Sequence, residues 1–469
     1  MKVRAAVVIL LVSSASLLAQ KGVEPMQWKA GAAVVSLIPK GPMYMEGYAA
    51  RTEPAEGQAS GLFAKALAVE DKSGNRVVMI TTDLISVPRP VRDWLEAEVA
   101  KKYQLPAQSL LINCSHTHCG PELRTTQSGL MGKAPERQKL AVAYVTKLQQ
   151  DLLILVGDAL ADLAPAQLSY CHARAAFAMN RRTPTDTGFK NFPNPDGPVD
   201  HDVPVLKVEQ AGGKLKAVLF GYACHNTTLG FQKFCGDYAG FAQQYLQEAN
   251  PDTLALFMMG CGGDQNPYPR RTLDLAQQHG RTLANAVESA LDTQARPLSG
   301  PLRAAYETVT VDYAKAPSKE QVIALTQSKN KYDKAWGERL MVELKDKGKL
   351  REHYDAPIQV LQFGTGLTLI ALPGETMVDY SLRLKRELKN GEAGASAVWV
   401  AGYSNDVWAY LPSLRVLKEG GYEGGDSMKY FTTTVQPGPF SDTIEKRIVG
   451  KVHELIEQVK VAKNKQGAQ

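Results

Sequence analysis

The chain has 469 residues, a formal charge of +6, 44% hydrophobic residues and 22% charged residues. That composition describes a folded globular protein, long enough for one large domain or two to three ordinary ones. Its lysines and arginines are scattered without a basic stripe, so nucleic acid is excluded as the expected partner.

Residues 1–20 read as a secretory signal peptide: Lys2 and Arg4 precede an apolar stretch that is too short and too serine-interrupted for a membrane span. No later stretch reads as a transmembrane segment, so the expected location is secreted or periplasmic. Export permits disulfides among Cys114, Cys119, Cys171, Cys224, Cys235 and Cys261. There is no Cys-x-x-Cys, which removes zinc-knuckle and thioredoxin readings, and buried filler is the commoner role of such cysteines.

From residue 28 the pattern alternates. Residues 28–39 open with a strand, and 41–56 form a loop rich in Gly, Pro and Met. Strands over 62–69 and 76–84 follow, the second ending at Asp83. A helix over 91–101 leads to the apolar strand 109–113, which ends in Ser115-His116-Thr117-His118-Cys119-Gly120-Pro121. In extended geometry i and i+2 share a face, so His116 and His118 reach one pocket and suit a metal site or an acid/base pair.

Loop 119–134, a helix over 136–163 and an irregular loop over 180–198 come next. Strands over 203–208 and 215–223 lead to His225, and a helix runs from Gly236-Asp237 to Glu248. The apolar run 254–259 ends in a Gly-rich turn with Asp264, Asn266 and Pro267. It lacks the Lys and Ser/Thr of a phosphate loop. A helix covers 270–291. Residues 317–353 are charged and helical, a candidate insertion. Strands over 357–363 and 367–372 end at Gly374-Glu375, a strand over 398–402 leads towards Tyr410, and a helix over 441–461 closes the chain.

This alternation predicts an α/β fold: a single large layered domain over 21–469 with a mixed β-sheet core flanked by helices. Chemistry gathers at strand ends in such folds, where His116, His118, His225, Asp264, Glu375 and Tyr410 all fall. Imidazoles and a carboxylate are the donors a zinc ion prefers. His453-Glu454 lacks the second His of a metalloprotease helix and reads as solvated surface. Asp83 and Asp237 read as turn caps, and Arg181 as a surface ion pair.

The ordered pieces resemble a known family. They are Trp28-Lys29-Ala30-Gly31, Met45-Glu46-Gly47-Tyr48, the Ser115–Pro121 stretch, the His225 strand end and Gly236-Asp237-Tyr238-Ala239-Gly240. Gly263-Asp264 with Pro267, Leu372-Pro373-Gly374-Glu375 and Gly402-Tyr403-Ser404-Asn405 complete the set. Together they are similar to the neutral/alkaline (non-lysosomal) ceramidase family, in its N-terminal catalytic domain. The resemblance implies an exported zinc amidase that splits ceramide into sphingosine and a fatty acid. It implies Zn²⁺ on His116, His225, Glu375 and Tyr410, with His118 beside the metal and the substrate.

Two departures stand out. Where the family carries a Ser often assigned as nucleophile, this chain has Asn266, which forms no acyl intermediate but can donate a hydrogen bond to an oxyanion. The family's C-terminal immunoglobulin-like domain is also expected to be absent. On this reading Tyr410 stabilises an oxyanion, His118 moves protons, and Asp264 either orients a ligand imidazole or caps its turn. The expected partner is a small lipid-like amide, with transient membrane-surface contact compatible with it. Two alternatives stay open: a zinc hydrolase of another N-acyl or ester bond, and a non-catalytic exported binding protein.

Overall fold

The computed structural model describes residues 26–126, 135–389, 392 and 394–465. The expected signal peptide and residues 127–134 of the expected loop lie outside these.

In chain order the first half runs β1 (Trp28–Ser36), β2 (Phe63–Asp71), β3 (Arg76–Thr82), α1 (Arg89–Tyr103), β4 (Leu110–Cys114), α2 (Pro135–Ala161), β5 (Ala164–Arg174), β6 (Ala178–Thr185), β7 (Gly188–Asn194), β8 (Asp202–Gln210) and β9 (Leu215–Tyr222). Next come α3 (Asp237–Ala249), β10 (Leu254–Met259), β11 (Gln265–Pro267), α4 (Leu273–Leu291), β12 (Arg296–Leu298), β13 (Leu302–Asp312), α5 (Lys319–Thr326) and α6 (Lys331–Lys347). The last part holds β14 (His353–Phe363), β15 (Leu367–Ala371), β16 (Glu375–Thr376), α7 (Val378–Glu387), β17 (Ala397–Ala401), β18 (Tyr410–Leu411), α8 (Leu414–Glu419), α9 (Gly421–Gly424) and α10 (Ile444–Lys465).

Two sheets carry the architecture. The larger, nine-stranded sheet has the order β10-β9-β8-β5-β1-β2-β3-β4, with β12 added on β5; the smaller is β13-β14-β15-β17. They stack face to face, and strand alternation builds the layers. On β2, Ala64, Ala66 and Ala68 face the helix side, while Leu67 and Val69 face the other sheet. On β15 and β17, Leu367, Leu369 and Trp399 meet that inter-sheet core, while Ile370 and Val400 face α7 and α10. Both faces of β3, β4, β9, β10 and β15 are therefore buried, which is why these strands read as continuous apolar runs.

The α/β expectation of a mixed sheet core flanked by helices holds, with a second sheet added. Three details differ from the sequence reading. Residues 180–198 are not irregular: β6 and β7 pair as a hairpin, formed despite Pro184 and Pro193 because the two-residue connection at 186–187 lets the strands close. β5 and β13 carry so many Ala, Arg, Thr and Glu that no apolar run marks them. Finally, α2 is long and apolar enough by length and composition to cross a membrane, contrary to the expectation of no such segment. Here it lies on β1, β2 and α1, with Leu148, Leu152, Leu155, Val156 and Ala159 in their shared core.

Three parallel pairs fix the site. β3 pairs with β4, β9 with β10 and β15 with β17, all in parallel. Their carboxyl ends meet where the two sheets join, bridged at Asn113↔Ser404 and Gly260↔Ala401. Asn113, fully buried, is the knot: its Nδ2 donates to the Met259 and Gly402 carbonyls and to Ser404 Oγ, and its Oδ1 accepts from the Met259 N–H.

Candidate active site

His116 follows β4 with φ +62°, a left-handed conformation that costs energy for a residue with a Cβ. The chain is held there because Ser115 N donates to the Thr82 carbonyl and His116 N to the Leu84 carbonyl. The Asn226 side-chain amide donates to the Ser115 carbonyl. The same backbone places His118 over Gly47 and beside the Tyr48 ring, at 5.0 Å between centroids. His225 follows β9, and Glu375 opens β16, in register with Tyr410 of β18.

These ends converge. His116 Nε2 lies 3.1 Å from His118 Nε2 and 3.2 Å from Glu375 Oε2, and His225 Nε2 lies 3.0 Å from the same Glu375 oxygen. His116 Nδ1 is 2.7 Å from the Ile85 carbonyl and His225 Nδ1 is 2.7 Å from the Gly262 carbonyl. A carbonyl only accepts, so each Nδ1 carries a proton and each Nε2 points inward. The His118 Nδ1 is buried without a partner among the described residues.

The electrostatics match this picture. Burial, reinforced by His116 and His225, pushes the His118 pKa well below the ordinary histidine range. Burial and the nearby Arg181 push His225 down to about 4. Burial alone would raise the Glu375 carboxyl, but His116 and His225 beside it hold it well below the usual carboxylate range. At neutral pH the centre thus holds uncharged imidazoles at His118 and His225 and one carboxylate. The Nε2 atoms of His116 and His225 both lie within 3.2 Å of one Glu375 oxygen, and His118 Nε2 lies 3.1 Å from His116 Nε2. Such a donor set fits a divalent cation of borderline softness. The carbonyl partners behind His116 and His225 are the outer contacts that fix imidazole ligands.

A cavity of about 350 Å³ opens over this cluster. His116, His118, Glu375 and Tyr410 lie in its wall, along with Tyr48, Tyr332, Tyr422, Tyr430 and Phe431. Tyr410 Oη accepts a hydrogen bond from Arg181 Nη2 at 2.9 Å. Burial first, outweighing Arg181, raises its pKa, so the phenol keeps its proton.

Two expectations need correcting. Asp264 hydrogen-bonds no imidazole. Its Oδ1 accepts from the Val378 N–H at the start of α7, and its Oδ2 takes Asn180 Nδ2 and Arg415 Nη2. The Gly-rich turn leaves room for a helix start rather than a histidine, and the carbonyls of Ile85 and Gly262 stand behind the rings instead. Arg181 is not a surface residue: it is 5% exposed and held by Glu423 Oε1 at 2.8 Å. Asn266 lies behind it. Its Oδ1 accepts from Arg181 Nη1 at 3.3 Å and Thr227 Oγ1 at 3.0 Å, and it lines a separate small cleft of about 50 Å³. Asp83 and Asp237 do accept backbone N–H groups, from Phe63 and Leu229. All six cysteines are free and buried. His453 is on the surface and pairs with Glu387.

Sequence reasoning missed Asn113 and Asn226, whose amides lock the strand ends, and the Ile85 carbonyl. The two asparagines end apolar runs next to the histidine motifs, which is the signal available for them.

Residues 39–255 match the family described as neutral/alkaline non-lysosomal ceramidase, N-terminal. No curated protein matches the chain. The crystal structure of neutral ceramidase from Pseudomonas aeruginosa shares the fold with a TM-score of 0.70 and 17% identity, over 92% of this chain and 74% of that one. A ceramidase complexed with C2 gives the same score and identity over 94% and 76%. At this identity the shared property is the fold. Residues 39–255 are thus similar in sequence to the neutral/alkaline non-lysosomal ceramidase family, and the chain as a whole shares the fold of the two ceramidase structures.

Proposed function

We propose that the protein is an exported zinc-dependent hydrolase of an N-acyl amide bond in a lipid-like substrate, ceramide or a related amide. The observation that carries this is the convergence of His116, His118, His225 and Glu375 on one point at the floor of an aromatic cavity. His116, His225 and Glu375 would hold the ion, with Tyr410 beside them. When bound, zinc supplies Lewis acidity, which polarises a scissile carbonyl and makes water acidic enough to attack near neutral pH.

The chain's own groups do the rest. Arg181 donates to the Tyr410 oxygen, so the phenol O–H is free to donate to the oxygen on which charge develops. His118, uncharged at neutral pH, accepts a proton from the attacking water and returns it to the departing amine. The C–N bond breaks, hydroxyl joins the acyl carbon and the amine leaves with the added proton. Tyr48, Tyr422, Tyr430 and Phe431 give the acyl chain an apolar wall and keep bulk water away. Asn266 contributes no group to this wall, so the absence of a serine hydroxyl at 266 takes nothing from the chemistry written above.

The test is hydrolysis of a fluorogenic N-acyl sphingosine and an N-acyl and ester substrate panel by the purified chain, with and without chelator. Chelator-sensitive amide cleavage supports the reading. Ester cleavage alone would move the substrate class, and bound zinc without turnover on any substrate would favour a binding protein.

A further inference from the structure

Segment 317–353 supplies none of the groups that converge at the cavity floor, yet through Tyr332 it reaches the cavity wall. α5 and α6 fold around an apolar cluster of their own, Val322, Leu340 and Leu350, against which Val435 packs. α6 also holds residues 429–436 by polar contacts. Asp333 accepts from Lys429 Nζ at 2.8 Å, Trp336 Nε1 donates to the Gln436 carbonyl at 2.7 Å, and Arg339 Nη2 donates to the Lys429 carbonyl at 2.7 Å. Gln436 Nε2 in turn donates to the Trp408 carbonyl at 2.6 Å, two residues before Tyr410. The stretch that carries Tyr430 and Phe431 is thus fixed both to α6 and to the approach to Tyr410.

The aromatic rings of the wall form a continuous run. Tyr410 meets Tyr422 edge-on at 5.5 Å between centroids and Phe431 at 5.8 Å, Tyr422 lies 6.0 Å from Tyr430, and Tyr430 meets Tyr332 of α6 edge-on at 5.2 Å. All five rings line the cavity. Rings at this spacing are in contact and present one apolar surface. The run also has a direction. It starts at Tyr410, whose ring stacks with His225 at 6.4 Å and whose hydroxyl serves the carbonyl oxygen in the reaction written above. His118, which serves the departing amine, stands over Gly47 instead. With the carbonyl oxygen at Tyr410 and the nitrogen towards His118, the rings that continue from Tyr410 receive the third substituent of the carbonyl carbon, the acyl chain. Tyr332 is the last ring that such a chain reaches.

We infer that α5 and α6 are the acyl-recognition arm of the cavity, and that Tyr332 is a specificity-determining residue that favours amides of long acyl chains over short ones. The identity of the chain as an acyl group rests on the amide-hydrolase reading; the chain-binding run of rings does not. Tyr332 contributes its own ring, and Trp336 acts as a positioning residue by holding the stretch that carries Tyr430 and Phe431.

The test compares N-acetyl-, N-hexanoyl- and N-lauroylethanolamine. The matching alkanesulfonamides, which cannot be hydrolysed, give binding alone by calorimetry on the purified full chain. In the wild type, affinity should rise from the shortest chain to the longest, by about fourfold for each methylene that the rings bury. Tyr332→Ala should cut the lauroyl-to-acetyl ratio of kcat/KM about tenfold, the scale of two methylenes losing their burial. The loss should appear in KM rather than kcat, and the sulfonamide affinities should show the same ratio. Tyr332→Phe, which keeps the ring, should retain the wild-type ratio. A dodecanesulfonamide with a diazirine at its chain end should label Tyr332 or Tyr430 in the wild type, a readout that needs no variant to fold. Chain-length-independent binding by the wild type would overturn the inference. So would an undiminished ratio in a folded Tyr332→Ala, or a label confined to residues outside α6 and 429–433. Chain-length-dependent binding that Tyr332→Ala weakens, with no hydrolysis of any amide, supports the chain-binding arm while removing the amide-hydrolase reading.

Discussion

Replacing Gly47 by alanine tests whether His118 must sit where the fold holds it. A Cβ at Gly47 would lie 2.8 Å from both His118 Cβ and Cγ and 2.9 Å from His118 Cα. Unstrained carbon contacts need about 3.5–4.0 Å, so roughly 0.7–1.2 Å has to be absorbed by the histidine or by its own backbone. Gly47 also has φ +103°, and a left-handed backbone costs a residue with a Cβ about 1–2 kcal/mol. Gly57 separates the two effects: its φ is +129° and its Cβ would meet nothing within 4 Å. Gly57→Ala should therefore lose about 1–2 kcal/mol of stability and keep wild-type turnover. Gly47→Ala should lose about 2–4 kcal/mol and, with the proton-transfer group displaced by close to 1 Å, on the order of 100-fold in kcat. Zinc content should stay at the wild-type level, because the substitution touches none of His116, His225 and Glu375. The assay is kcat and KM on a fluorogenic N-acyl sphingosine alongside a denaturant melt and metal analysis. A well-folded Gly47→Ala with wild-type kcat would refute the role given to His118.

Other substitutions probe other parts of the account. Glu375→Gln removes the carboxylate charge that faces the Nε2 atoms of His116 and His225. Metal affinity should fall by more than the roughly 10–100-fold that loss of an outer contact costs, read by competition with a chromophoric chelator. Asn113→Ala deletes four buried hydrogen bonds at the junction of both sheets and should cost about 3–5 kcal/mol in chemical denaturation. For pH dependence, burial and then Asp379 push Asp264 up to about 6 from 3.8. The native state therefore binds this proton more tightly than the unfolded chain. Its stabilising effect is full below about pH 4, is lost as the pH rises towards 6, and stays flat above that. Relative to Asp264→Asn, the wild type should lose up to about 3 kcal/mol over that window; parallel stability curves for the two proteins would contradict the burial of this carboxyl.

What the sequence disclosed follows from what its patterns encode. His116, His118 and His225 were legible as neighbours because each ends an apolar run, and buried strands in an α/β fold end at one rim. The shared rim also gathers Glu375 and Tyr410, whose positions depend on the short β16 and β18 pair that no period announces. Pairing between distant segments was not legible. The smaller sheet depends on β13, whose side chains are mostly polar or small, and the β6–β7 hairpin contains prolines that read as loop. Asp264 stayed open between two roles because a carboxylate after a Gly-rich turn caps as readily as it backs an imidazole, and only the position of α7 decides. Arg181 looked like surface because local sequence does not show that Glu423, 242 residues later, comes within 2.8 Å of it.

The measurement that bears most directly on the central claim is metal analysis of the purified chain, paired with amide hydrolysis before and after chelation, for the wild type and His225→Ala. The account predicts about one zinc per wild-type chain, cleavage that the chelator abolishes and zinc restores, and neither bound metal nor turnover in His225→Ala. Undiminished hydrolysis by a zinc-free protein, or a folded wild type that binds no metal, would contradict it.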